Sequence, residues 1–207
     1  GVDESAHESR RRMNQPSSAI ATAVAVTLPE WVPGVVDAFP ACTNDTGRMR
    51  LAITLARENV ERASGGPFGA AIFARGAPRP LAVGVNCVER LRNAVLHAEI
   101  VALMLAEARL GSYTLRAPDA PEYELFTSCE PCAMCLGATL WSGVRRIVCA
   151  AGREDAMALG FDEGPVFPES WRYLQAQGIA LEHGLLAAEA AEVMRRYREG
   201  NGLVYNG

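Results

Sequence analysis

Residues 122–151, EYELFTSCEPCAMCLGATLWSGVRRIVCAA, decide the fold class. Glu122 to Thr127 reads as a strand and Arg146 to Ala151 as a second, buried one. Between them Pro131 stands where the first residue of a helix would be, its fixed φ suited to starting a helix over Cys132 to Trp141. The same alternation continues on both sides. Upstream, Asp45 to Ala63 carries Met49, Ile53, Ala56 and Val60 at helical spacing, and Gly65-Gly66-Pro67 breaks that helix. Ala70 to Ala74 and Leu81 to Val88 are apolar runs around a Gly/Pro turn, which predicts a β-hairpin. His97 to Leu110 is apolar almost all round, the mark of a buried helix. Downstream come a loop from Gly160 to Pro168, a short strand from Ile179 to Glu182 and a last helix from Leu185 to Arg198. Strands alternating with helices predict an α/β domain whose mostly parallel sheet is covered on both faces.

The chain has 207 residues, 49% of them hydrophobic, enough for one well-packed domain. The first 44 residues, with Pro16, Pro29, Pro33 and Pro40, read as an irregular arm. The main domain is expected over 45–185, with a C-terminal helix and tail over 186–207. Arg10, Arg11 and Arg12 precede an apolar run from Ala19 to Val26 that loosely imitates a secretory signal. Thr22 and Thr27 interrupt the pattern, and Met13 reads as an alternative start, so the residues before it read as leader sequence. Net charge is −4, and the cations, arginine rather than lysine, form no stripe. A long nucleic acid and an anionic membrane are therefore not expected as partners.

The six cysteines are Cys42, Cys87, Cys129, Cys132, Cys135 and Cys149. The crowding of Cys129, Cys132 and Cys135 is poor spacing for disulfides and good spacing for a metal, which favours a reducing, cytoplasmic compartment. Cys132 and Cys135 lie one turn apart at a helix start, where free N–H groups favour thiolate over thiol. His97 begins a second helix and can meet the same ion. Three protein ligands leave zinc one open position for water, the arrangement of a catalytic site. Glu99 is two residues beyond His97, a poor place on a helix for a neighbouring ligand. It can instead hang over the open position and move protons. Several alternatives stay open. A lone His-x-Glu is commonly a surface pair, and C-x-x-C can be a redox pair or a structural half-site. An iron–sulfur run would want a further cysteine at position 139, which is Thr. A closed zinc site using Cys129 as fourth ligand would leave Glu99 unexplained. His183 reads as structural, and Cys87, Cys129 and Cys149 as small buried side chains.

The combination of His97-Ala98-Glu99 with Pro131-Cys132-Ala133-Met134-Cys135 resembles the H-x-E…P-C-x-x-C signature of the zinc nucleobase deaminases. The chain from about Asp45 onward is similar to the cytidine deaminase superfamily. Gly65-Gly66-Pro67-Phe68-Gly69-Ala70 and Gly160-Phe161-Asp162-Glu163 resemble its small bacterial guanine deaminases. That resemblance implies a three-layer α/β/α sandwich around a five-stranded mixed sheet, one Zn2+ per chain, and a homodimer that exchanges its C-terminal segment. It implies hydrolytic deamination of a nucleobase, guanine to xanthine and ammonia. Cytosine, cytidine, a pterin or an amino-triazine such as ammeline are alternative substrates, and a tRNA adenosine deaminase is a further one. Carried over residue by residue, Phe68 and Trp141 would line the pocket, Asn86 would hydrogen-bond the ring, and Ala98 and Phe161 would also meet the substrate. Glu163 would assist proton transfer. Tyr205 falls near the C-terminal aromatic that reaches the pocket, although the surrounding tail is not a close match. Each has a plainer reading: core packing for Phe68 and Trp141, turn bonding for Asn86, a solvated loop for Glu163.

Overall fold

The computed structural model describes residues 20–206. Arg10, Arg11, Arg12, Met13 and the first residue of the apolar run, Ala19, lie outside them. The described part of the arm is not wholly irregular, because α1 covers Val32–Ala38. Pro33 in its first turn suggested a break, yet a helix start has no use for the missing N–H. Helix α2 spans Asp45–Glu61, with Asn44 capping it by accepting from the Gly47 amide at 2.8 Å. Strands β1 (Gly69–Ala74) and β2 (Ala82–Val85) form the expected hairpin. The second strand is shorter than the apolar run, since Asn86 Oδ1 accepts from the Val88 amide and turns the chain into α3 (Val88–Leu91).

Then follow α4 (Ala98–Leu110), β3 (Tyr123–Cys129), α5 (Ala133–Ser142) and β4 (Arg146–Ala151). Helix α6 (Arg153–Leu159) and helix α7 (Pro168–Ala176), each no more than nine residues long, were not expected. Strand β5 (Ala180–Glu182) and helix α8 (Ala187–Glu199) complete the order. No helix among the described residues is long and apolar enough to cross a membrane.

The five strands stand in the order β2-β1-β3-β4-β5. β1 runs antiparallel to both its neighbours, whereas β3–β4 and β4–β5 are parallel. The mostly parallel sheet expected from strand–helix alternation is thus corrected to a mixed one. The hairpin sets β2 against β1, and the connection through α4 then carries the chain across β1 to β3.

Side chains alternate across the sheet with a period of two. Ala71, Phe73, Phe126 and Val148 face one core together with α2 and α8. Ala70, Ile72, Leu125 and Ile147 face the other with α4, Leu136 of α5 and Leu174 of α7. The result is a three-layer α/β/α sandwich. The starts of β3 and β4 are tied by ions: Arg146 Nη2 lies 2.6 Å from Asp45 Oδ2, and Arg48 Nη1 lies 3.5 Å from the buried Glu124. Their carboxyl ends are left for the site, the usual place for a ligand in a parallel sheet.

Candidate active site

Two helix starts meet at that end, and each works by having its ligand outside the helix proper. His97 is the N-cap of α4, with extended backbone (φ −66, ψ 160). The rule that residues two apart on a helix diverge therefore does not apply, and His97 and Glu99 reach the same space. Cys132 is likewise the N-cap of α5 (φ −65, ψ 173), and Cys135 is the third residue inside. Pro131 accordingly precedes the cap; the expectation that it is the helix's first residue is corrected by two residues, to Ala133. An N-cap side chain and an N3 residue naturally approach each other, as in a capping box, which brings the two sulfurs together.

The donor atoms of His97, Cys132 and Cys135 all lie within 4.8 Å of one another. Cys132 Sγ is 3.5 Å from His97 Nδ1. A tetrahedral zinc with ordinary bond lengths holds its sulfur and nitrogen ligands roughly 3.6 Å apart, so this soft S, S, N set fits the ion. Hydrogen bonds from Cys135 and His97 lower the Cys132 thiol strongly, while Cys135, as the donor, is held well above the ordinary thiol range. A site that stabilises thiolate is one prepared for a cation.

Glu99 is buried, 6% exposed, and two contacts hold its carboxylate beside the triad. Cys135 Sγ lies 3.4 Å from its Oε2, and Thr127 Oγ1 lies 3.3 Å from its Oε1. Burial, reinforced by the negative Cys132, raises its pKa above the usual carboxylate value. Glu163 arrives from the loop after α6, where its carbonyl accepts the Ala133 amide at 2.9 Å, at the first turn of α5. That one bond docks the loop on the same helix start that carries Cys132. Burial first, then the charges of Cys132 and Glu99, push Glu163 up to about 7.

These groups border a cavity of about 390 Å³. Phe68, His97, Glu99, Cys132, Phe161, Glu163 and Tyr205 all line it. Phe161 is the hub of an aromatic cluster, edge-on to Phe68 at 5.2 Å between centroids and tilted against Tyr205 at 5.0 Å. Tyr205 sits against Gly66 so closely that a Cβ there would come within 2.1 Å of its hydroxyl. Asn206 fastens the tail, accepting from the Asp162 amide at 2.9 Å and donating to the Gly160 carbonyl at 2.8 Å. The C-terminal segment thus meets the pocket of its own chain.

Three residues that the resemblance set against the substrate do not border the cavity: Asn86, Ala98 and Trp141. Asn86 is buried, its side-chain Oδ1 accepting from the Val88 amide while its side-chain Nδ2 has no partner among the described residues. Ala98 is wholly buried at the first position of α4, where its backbone N–H belongs to the set a helix leaves unpaired. Trp141 departs from the expectation most: it is 80% exposed at the far end of α5. The cavity also takes in Val95, Cys129, Met134 and Asn206, which sequence reading did not place there. Position beside the cysteine motif was the signal available for Cys129 and Met134; the tail offered none. Cys129 is no fourth partner of the triad's donor cluster. His183 bonds Glu130 at 2.6 Å rather than the metal site.

Comparison with known proteins agrees with this geometry. The model of the cytidine and deoxycytidylate deaminase zinc-binding region matches residues 43–151. The guanine deaminase of Bacillus subtilis (strain 168) is 40% identical over 121 residues, 58% of this chain and 73% of that protein. A tRNA-specific adenosine deaminase of Agrobacterium fabrum (strain C58) is 30% identical over 149 residues, 72% of this chain and 90% of that protein. A solved structure of the guanine deaminase from Nitrosomonas europaea shares 40% identity with a TM-score of 0.81, covering 88% of this chain and all (100%) of that one. With the motif, the donor set and the sandwich in agreement, the chain belongs to the cytidine and deoxycytidylate deaminase family and is a zinc-dependent deaminase.

Proposed function

We propose that this enzyme hydrolyses guanine to xanthine and ammonia. The observation that carries this reading is the second buried carboxylate, Glu163, in a cavity walled by Phe68, Phe161 and Tyr205. Guanine presents two adjacent donors, its N1–H and its 2-amino group, and a carboxylate is the acceptor that suits such a pair. The aromatic walls suit a flat ring. The likeness to two guanine deaminases supports the same choice.

Zinc, when held by His97, Cys132 and Cys135, supplies a water of lowered pKa as the nucleophile. The chain's own residues do the rest. Glu99 takes the proton of the attacking water and returns it to a ring nitrogen. Glu163 accepts from the amino group and relays to it the second proton of the added water as the carbon–nitrogen bond breaks, so that ammonia leaves and the ring carbon keeps the oxygen as a carbonyl. Tyr205 and Phe161 cover the ring and keep bulk water out. A panel of guanine, cytosine, cytidine, a pterin, ammeline and adenosine-bearing tRNA, assayed for ammonia, tests the assignment. Guanine is expected to give the highest kcat/KM, and preference for any other member would overturn it.

We also infer that a second copy of the chain covers the outer face of α4 and α5. Trp141 and Met104 stand 80% and 42% exposed there, a costly pair of side chains to leave in water. In a dimer that exchanges its C-terminal segments, Tyr205 and Asn206 would meet the same pocket from the partner. Sedimentation should show a dimer that Trp141→Glu converts to monomers; a monomeric parent protein would refute the inference.

A further inference from the structure

We propose that Trp31, Ser64 and Asn59 form a brace through which the N-terminal arm positions the turn that carries Phe68 and Asn86. The inference rests on the reading that Phe68, which lines the cavity, walls the base, and that Asn86, which does not line it but whose Nδ2 has no partner among the described residues, bonds the base. None of the three brace residues touches substrate; each acts through the next.

Asn59 is wholly buried in the last turns of α2, an unfavourable place for an amide unless every bond is made. Both its N–H donors are used: Nδ2 gives to the Gly66 carbonyl at 2.9 Å and to the Asn86 carbonyl at 3.0 Å. One side chain therefore pins the turn before Phe68 and the strand end at Asn86 to each other. The Asn86 amide in turn gives to the Phe68 carbonyl at 3.1 Å, closing a ring of three backbone anchors. Gly65 shows how tight the seat is, since a Cβ there would lie 2.2 Å from the Asn86 carbonyl oxygen and 2.7 Å from Asn59 Nδ2.

The orientation of Asn59 is set from outside. Its Oδ1 accepts from Ser64 Oγ at 2.8 Å, which forces the amide nitrogen toward Gly66 and Asn86. Ser64 Oγ accepts in its turn from Trp31 Nε1 at 3.0 Å. A hydroxyl has one proton, and the indole N–H can only donate, so the Trp31 contact obliges Ser64 to spend that proton on Asn59. Trp31 is itself fixed, with the Arg62 guanidinium 5.5 Å from its ring and the arm pinned upstream by the Arg90–Thr27 hydrogen bond. Trp31 lies before residue 43, where the family match begins. The arm thus supplies the last link of a chain of bonds that ends at the base-recognition turn, and the loss of one link should loosen substrate binding more than chemistry.

Ser64→Ala, Ser64→Thr, Trp31→Phe and Asn86→Ala test this, each with steady-state kinetics on the panel's preferred base and with zinc content. Trp31→Phe keeps an aromatic ring under Arg62 and removes the N–H. Loss of one such bond corresponds to a change of about three- to tenfold. The brace predicts that rise in KM for Ser64→Ala and for Trp31→Phe, with kcat and zinc content unchanged. Ser64→Thr, which keeps the hydroxyl, should restore the parent KM. Unchanged KM in both Ser64→Ala and Trp31→Phe, alongside a raised KM in Asn86→Ala, would overturn the brace alone. Unchanged KM in Asn86→Ala would overturn the base-recognition reading and, with it, the brace.

Discussion

Glu99→Gln is expected to retain one zinc per chain and to lose turnover, by about a hundred- to ten-thousand-fold in kcat. The substitution keeps the shape of the side chain and its place between Cys135 and Thr127. His97, Cys132 and Cys135 are untouched, so the metal has no reason to leave. What is lost is the capacity to take a proton from water and return it to the ring. KM should change little, because the carboxylate works on a proton in flight and not on the resting base. Metal analysis together with kcat reads both halves of this expectation. A variant that turned over like the parent protein would exclude Glu99 as the proton carrier. A variant that lost its zinc would make Glu99 a support of the metal site.

Glu163→Gln should lower kcat/KM for guanine by about tenfold or more, since it trades a charged hydrogen-bond acceptor for a neutral one. The glutamine amide would also turn a donor toward a group that is itself a donor. The loop should stay in place, because the Glu163 carbonyl, not its carboxylate, makes the bond to Ala133. Arg153 adds a second anchor, with its Nη2 3.4 Å from the Gly164 carbonyl. The loss should therefore be smaller for a substrate without a donor pair. A kcat/KM for guanine that did not move would remove the main physical reason for preferring guanine over other amino-heterocycles.

The parts of this molecule that were legible in the sequence are those that repeat a physical pattern locally. The periodic apolar residues of α2 and α4 and the apolar runs of β3 and β4 each declare one element. The spacing of Cys132 and Cys135 declared the metal. The direction of β1 was not legible, because antiparallel pairing with β3 depends on how two distant segments cross, not on either segment's composition. His97 and Glu99 share a site for a reason that spacing alone obscured: His97 caps the helix instead of belonging to it. Trp141 shows the converse, a position the resemblance set in the pocket whose side chain stands exposed on the surface. Asn59 ties the Gly66 turn to Asn86 and Asn206 fastens the tail at the pocket, yet an isolated asparagine in a helix or a tail carries no signal until its partners are known.

Hydrolysis at this site is read most directly by turning over guanine with the zinc-loaded protein in H2 18O and identifying the products. Ammonia and xanthine are expected in equal amounts, with one 18O in the oxygen that replaces the 2-amino group. Absence of ammonia, or xanthine free of the label, would contradict hydrolytic deamination at this site.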